Sequence, residues 1–150
     1  MKRITSIDLF AGAGGMRLGL ENAVHKLGFK HDCLFYSEIN NWCREVYQNN
    51  FPKTKLIADI KSIKPYKIRS VVPGHDILLA GFPCQPFSQA AVSLRNYLNR
   101  KHGFEDQHEG NLFFNILDII TAKKPKAFLL ENVQNLATYN NGNVMNVILK

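Results

Sequence analysis

The chain has 150 residues, 45% hydrophobic and 21% charged, and 19 basic against 12 acidic side chains give it a formal charge of +7. That length suffices for one domain with a buried core, and the balance reads as ordinary globular, not disordered or membrane. No apolar run is long enough for a membrane-spanning helix, and Asp8 and Arg17 break up the stretch behind Lys2 and Arg3, which argues against an export signal.

Strand and helix signals then alternate. The stretch RITSIDLF is β-branched and apolar and predicts a first strand, which AGAGG ends. From Met16 the period turns helical, with Leu20, Ala23, Val24 and Leu27 on one stripe and Gly28 as its stop. DCLFYSE predicts a second strand. A helix over 41–50 follows, with Cys43, Val46 and Tyr47 aligned. KLIADI is a short third strand. HDILLAG is a fourth, its unbroken apolar character suited to cover on both faces. NLFFNILDIIT is a strong helix pattern, with Leu112, Ile116 and Ile120 beside Phe113 and Leu117. KAFLLEN predicts a fifth strand, buried by the same argument as the fourth. This is the pattern of an α/β fold with a doubly wound, mainly parallel sheet. NVMNVILK opens another helical stripe at the C-terminus, so the expectation is a sheet truncated after about strand five.

In such sheets ligands gather at the carboxyl ends of the strands. The first strand ends in FAGAGG, Phe10 to Gly15, where glycines permit a sharp turn and close approach to main-chain N–H groups. A dinucleotide fingerprint would carry a further glycine at position 17, and Arg17 stands there instead. The second strand ends at Glu38, a carboxylate placed to accept from ribose hydroxyls. Together these point to an adenosine-bearing cofactor without a pyrophosphate. Asp59 and Ile60 at the third strand end are placed for an adenine amino group and ring, though a plain surface aspartate fits equally well.

The fourth strand leads into GFPCQPFS. Pro83 and Pro86 preclude regular structure around Cys84, unlike Cys33 and Cys43, which lie within elements and suit small core residues. The thiolate is the reactive form of cysteine, so Cys84 is a candidate nucleophile. The fifth strand ends in Glu131, and partial burial there would raise its pKa and let it hold a proton. A thiol beside such a carboxyl suits attack on an electron-poor ring. The three cysteines make neither a disulfide framework nor a metal knuckle, and the spacing of His102 and His108 matches no ligand pattern. No metal is therefore expected. A reducing, cytoplasmic setting is the default, nucleoid-associated if the source is bacterial. The positive charge suits a polyanion such as nucleic acid, although a generic basic protein would carry it too.

Taken together, DLFAGAGG, GFPCQPFS and ENV in that order, with GFED before NLFF, resemble the DNA (cytosine-5)-methyltransferase family. The likeness runs from about Ile7 to at least Asn143. It implies a Rossmann-like methyltransferase fold in which residues 1–150 form an incomplete S-adenosylmethionine-binding catalytic domain. Phe10, Gly12, Gly14 and Gly15 would line the cofactor pocket, Glu38 would bind the ribose, and Ile39, Asp59 and Ile60 would meet the adenine. Cys84 would attack carbon 6 of a cytosine extruded from double-stranded DNA, and Glu131 would engage ring nitrogen 3. Carbon 5 would then take the methyl. Ser88, Arg95 and Arg100 would contact DNA.

Two departures stand out. Ile39 occupies a position where some members carry tryptophan, and the stretch 89–102 is longer than in compact members. The family's target-recognition region has no counterpart, so a C-terminal complement carrying it is an expected partner. Two alternatives stay open on the sequence: a non-catalytic, partner-binding remnant of such an enzyme, and a transfer RNA cytosine methyltransferase.

Overall fold

In a computed structural model, which describes residues 2–83 and 112–149, the strands are β1 (Arg3–Leu9), β2 (Lys30–Ser37), β3 (Lys55–Ile57), β4 (Ile77–Gly81) and β5 (Ala127–Glu131). They form one sheet in the order β3-β2-β1-β4-β5. β1 pairs parallel with both β2 and β4, and β2 pairs parallel with β3. The chain thus winds outward from β1 to β3, then crosses back to the other side of β1. The reversal falls between β1 and β4, the place where open sheets of this kind form a crevice.

Local chemistry sets the helices. α1 (Gly15–Lys26) follows Gly14, which takes a left-handed conformation with φ 91°. It stops where Gly28, at φ 76°, donates to His25 O while Phe29 N donates to Val24 O, a glycine-terminated C-cap. α2 (Asn41–Asn50) begins where the Asn40 side chain accepts from Cys43 N at 3.2 Å. β3 is shorter than KLIADI suggested. The Asp59 side chain accepts from Lys61 N and caps a 3-10 turn, Ile60–Ser62, so pairing ends at Ile57. A second such turn (Pro65–Lys67) and α3 (Ile68–Val71) complete the crossover, anchored by buried Ile60, Ile63, Ile68 and Val72.

Burial separates the strands. Ser6 to Leu9 of β1 are buried, and Leu78, Leu79 and Ala80 of β4 are fully enclosed. On the sequence β5 should match β4, yet Phe128 is 54% and Leu129 56% exposed. β5 is the sheet's edge, and among the described residues its faces are only thinly covered. An open apolar groove of about 400 Å³ lies there, lined by Met16 and Leu20 of α1, Leu79 of β4, and Phe128 and Leu129. α4 (Leu112–Lys123) buries Leu112, Phe113, Ile116 and Ile119, while Leu117 is exposed. On α2 only Tyr47 of the expected stripe is buried; Val46 is exposed and Cys43, like Cys33, is half-buried.

The chain divides into two units, Met1–Gly81 with Asn115–Leu130, and Phe82–Phe114 with Glu131–Lys150. In the second, Asn132 Nδ2 donates to Phe82 O at 2.9 Å, and the Phe82 ring tilts against Phe113 with centroids 5.8 Å apart. It also holds the short helices α5 (Asn135–Thr138) and α6 (Asn143–Ile148), with Leu136 buried. Among the described residues no helix is long and apolar enough to cross a membrane.

Candidate active site

The loop after β1 is built from left-handed residues. Phe10 has φ 54°, Gly12 φ 54° and Gly14 φ 91°. For phenylalanine this conformation is costly, and such strain persists only where the surroundings impose it. Two main-chain donors supply the restraint: Ala11 N reaches Ser37 O at 3.0 Å, and Gly12 N reaches Glu38 Oε2 at 2.9 Å. The loop is therefore laced to the end of β2.

The glycines do different work. A Cβ on Gly14 would lie 2.6 Å from Phe51 Cε2 and 3.1 Å from the Tyr47 ring, so only glycine fits above α2. A Cβ on Gly12 or Gly15 would meet nothing within 4 Å. Open space lies over those two positions, as a ligand-cradling loop requires.

Glu38 is half-buried and bridges two loops, since its Oε1 accepts from Asn40 N at 2.7 Å while Oε2 holds Gly12 N. A carboxylate has about four acceptor sites, so room remains for two hydroxyl donors. The neighbouring Ile39 is 67% exposed and offers a bare apolar surface. Asp59 stands after β3 as the cap of the 3-10 turn, and Ile60 behind it is buried. The sequence put both at a strand end; they occupy the loop beyond it.

Glu131 is the last residue of β5 and is exposed, so the partial burial expected of it is not found. Its neighbour Asn132 holds Phe82 O, just before the cysteine-bearing stretch. Cys84, Ser88, Arg95 and Arg100 lie outside the described residues, as do His102, His108 and the stretch GFED. Among the described residues no cluster of three or more His, Cys, Asp or Glu could hold a metal ion.

Beneath the loop lies a polar network the motifs did not single out. The Tyr47 hydroxyl donates to Asp8 Oδ2 at 3.2 Å and accepts from Arg17 at 3.3 Å. Arg17 also donates to Thr54 Oγ1 at 2.6 Å and to Glu21 Oε1. Its guanidinium lies 3.8 Å from the centre of the Phe51 ring. Burial pushes the Asp8 carboxyl up to about 7, against the pull of the Tyr47 hydrogen bond and of Arg17. Two signals in the sequence marked this network: a charge inside an apolar strand at Asp8, and an arginine where a third glycine might stand.

The chain is similar to several known proteins. The Type II methyltransferase M.HaeII of Haemophilus aegyptius is 50% identical over 99% of this chain, which covers 40% of that protein. M.NgoBI of Neisseria gonorrhoeae is 47% identical over 97% of the chain, which covers 39% of it. The DNA-cytosine methyltransferase of Escherichia coli K12 is 41% identical over 96%, with 33% of it covered. The chain therefore spans less than half the length of these curated relatives. The fold is shared with Dnmt2 methyltransferase of S. pombe, with a TM-score of 0.66 at 21% identity over 99% of this chain and 40% of that one. It is shared too with the methyltransferase EhMeth of Entamoeba histolytica, with a TM-score of 0.69 at 20% identity over 99% and 43%. The family described as C-5 cytosine-specific DNA methylase matches residues 4–150, and the chain belongs to that family.

Proposed function

We propose that this chain binds S-adenosylmethionine on the loops after β1, β2 and β3 and carries the nucleophile for methylation of cytosine at carbon 5 in DNA. The observation that carries the reading is the strained loop at Phe10–Gly14 tied by Gly12 N to the Glu38 carboxylate. Glu38 retains acceptor capacity for two ribose hydroxyls, Ile39 offers its exposed face to the adenine, and Asp59 its carboxylate to the amino group. Gly12 and Gly15 leave the space a bound nucleoside needs.

Bound there, S-adenosylmethionine supplies an electrophilic methyl group. The chain's own residues prepare the ring. The Cys84 thiolate adds to carbon 6 and forms a carbon–sulfur bond. Glu131 neutralises the charge that develops at ring nitrogen 3, which leaves carbon 5 nucleophilic. Once carbon 5 carried the methyl group, water would take its proton, that electron pair would restore the ring double bond as the carbon–sulfur bond breaks, Cys84 would leave as thiolate, and Glu131 would regain the nitrogen 3 proton. A paired base is closed to such attack, so the target cytosine is taken out of the duplex. The relatives' greater length supports a further polypeptide segment, carrying target recognition, as the chain's partner.

Calorimetric titration of the chain with S-adenosylmethionine tests the first half of this reading, and heat with saturable binding is the expected result. Mixing with a C-terminal complement taken from the H. aegyptius relative, then assaying duplex DNA and transfer RNA, tests the second. Methylation of DNA by the mixture, and none with Cys84→Ser, is expected. Methylation that survives Cys84→Ser removes the covalent mechanism, and product on transfer RNA alone changes the substrate.

A further inference from the structure

We propose that Tyr47 is a positioning residue for the cofactor loop, its hydroxyl clamping the two ends of that loop together. Asp8 lies just before the loop, near the end of β1. Arg17 lies just after it, in the first turn of α1. Both meet on one oxygen: the hydroxyl donates to Asp8 Oδ2 at 3.2 Å and accepts from Arg17 at 3.3 Å. All three side chains are buried, at 1%, 8% and 0% exposure for Asp8, Arg17 and Tyr47, so water cannot readily replace either bond.

The ring that carries this hydroxyl has little freedom. It stacks on Tyr36 of β2 with centroids 3.8 Å apart and planes 11° apart, and it tilts against Phe51 at 5.0 Å. Tyr47 and Phe51 form the floor under Gly14, where no Cβ fits. The loop is thus held from below by two rings and at its ends by one hydroxyl. Fixed ends add to the main-chain hydrogen bonds that hold Phe10 and Gly12 in their left-handed conformations. Arg17 completes the brace through Thr54 and Glu21, so it too acts on the loop indirectly.

Charge tunes the clamp. Among the described residues, Asp8 faces Tyr47 from α2, Arg17 from α1, Cys33 from β2 and Glu38 from the loop after β2. Ionised Asp8 is the stronger acceptor, and its carboxyl titrates near 7. Burial disfavours the ionised form, and the hydrogen bond from Tyr47 offsets part of that cost.

This role rests on the S-adenosylmethionine reading for its purpose, and the test separates the two. Hydrogen exchange at the Gly12 and Gly14 amides is compared in the unmodified chain and in Tyr47→Phe, which keeps the ring and loses the hydroxyl. Protection of these amides falls on the order of tenfold, while amides within β1 and β4 hold. Affinity for S-adenosylmethionine falls by a similar factor. Its pH midpoint moves upward, since the lost hydrogen bond held the Asp8 pKa down. Unchanged protection at Gly12 and Gly14 in Tyr47→Phe overturns the proposal. If that variant does not fold, Asp8→Leu, which removes the acceptor at similar volume, decides: lowered protection at the Gly12 and Gly14 amides supports the clamp, and unchanged protection overturns it. A loosened loop in Tyr47→Phe, with no cofactor binding by the unmodified chain, keeps the clamp and removes the cofactor reading.

Discussion

β4 and β5 are written almost alike, ILLAG and AFLLE, yet they live in different surroundings. Leu78, Leu79 and Ala80 of β4 have no exposure, whereas Phe128 and Leu129 of β5 are more than half exposed. β4 lies between β1 and β5, with β1 on its inner side; among the described residues β5 has a single neighbour. An apolar run states that a strand needs cover. It does not state whether the surrounding residues supply it.

The sharpest way to break this comparison is a matched pair of truncations. Leu78→Ala leaves a cavity in a closed layer and should cost about 2 to 5 kcal/mol in urea unfolding. Leu129→Ala removes a side chain already facing solvent and should cost about 1 kcal/mol or less. Equal losses would mean that β5 is covered in solution.

Closed and open surroundings differ in the cofactor loop as well. Gly14→Ala meets both a left-handed backbone and the Phe51 ring, and should cost about 2 kcal/mol or more, with loss of S-adenosylmethionine binding. Gly12→Ala meets only the backbone penalty, about 1 kcal/mol, and should weaken cofactor binding without unfolding the loop. Thermal melts and calorimetry on both variants check the ranking.

The smallest effect tests how the edge is fastened. Asp76 accepts from the main-chain N–H and hydroxyl of Thr5 and pairs with Lys126 at 2.6 Å, while Ala127 N donates to its carbonyl. Lys126 first, then the two Thr5 donors, hold its carboxyl down at about 2. A depressed carboxylate stabilises the fold above its unfolded pKa near 4 and loses that contribution as pH falls to about 2. Asp76→Asn should therefore cost about 1 kcal/mol at pH 7, reduced by solvent screening at this partly exposed site, and nothing near pH 2. Asp8 acts in the opposite sense. Its raised pKa makes the folded state bind a proton more readily, so its contribution to stability declines from about pH 4 to about pH 7. Unfolding curves of Asp8→Asn should lack that decline.

Much of the geometry of the candidate site was legible because its signals are local. Phe10 to Gly15 announced a sharp turn by composition, and the structure puts left-handed residues at Phe10, Gly12 and Gly14. Glu38 was placed by its position after an apolar strand, and it does reach the glycine loop. The α2 boundaries, Asn41–Asn50, are those the apolar period predicted. Asp59 was misplaced because its side chain caps a turn and cuts β3 short, a competition that strand propensity does not register. α3 was missed because four residues behind a proline carry too little period to read.

The sequence alone determined the order of strands and helices, the turns that glycine makes affordable, and the motif set that places the chain in its family. These depend on steric preferences of single residues and on periods of two and 3.6, which neighbours in the chain express. Only the tertiary structure decided which apolar strand is buried and which polar groups share a proton. β4 is enclosed and β5 exposed through their places in the sheet, and Tyr47 joins Asp8 to Arg17 because a helix distant in sequence packs beneath the loop. Burial and hydrogen-bond partnership are properties of contacts between distant segments, so they emerge only when the chain has closed on itself.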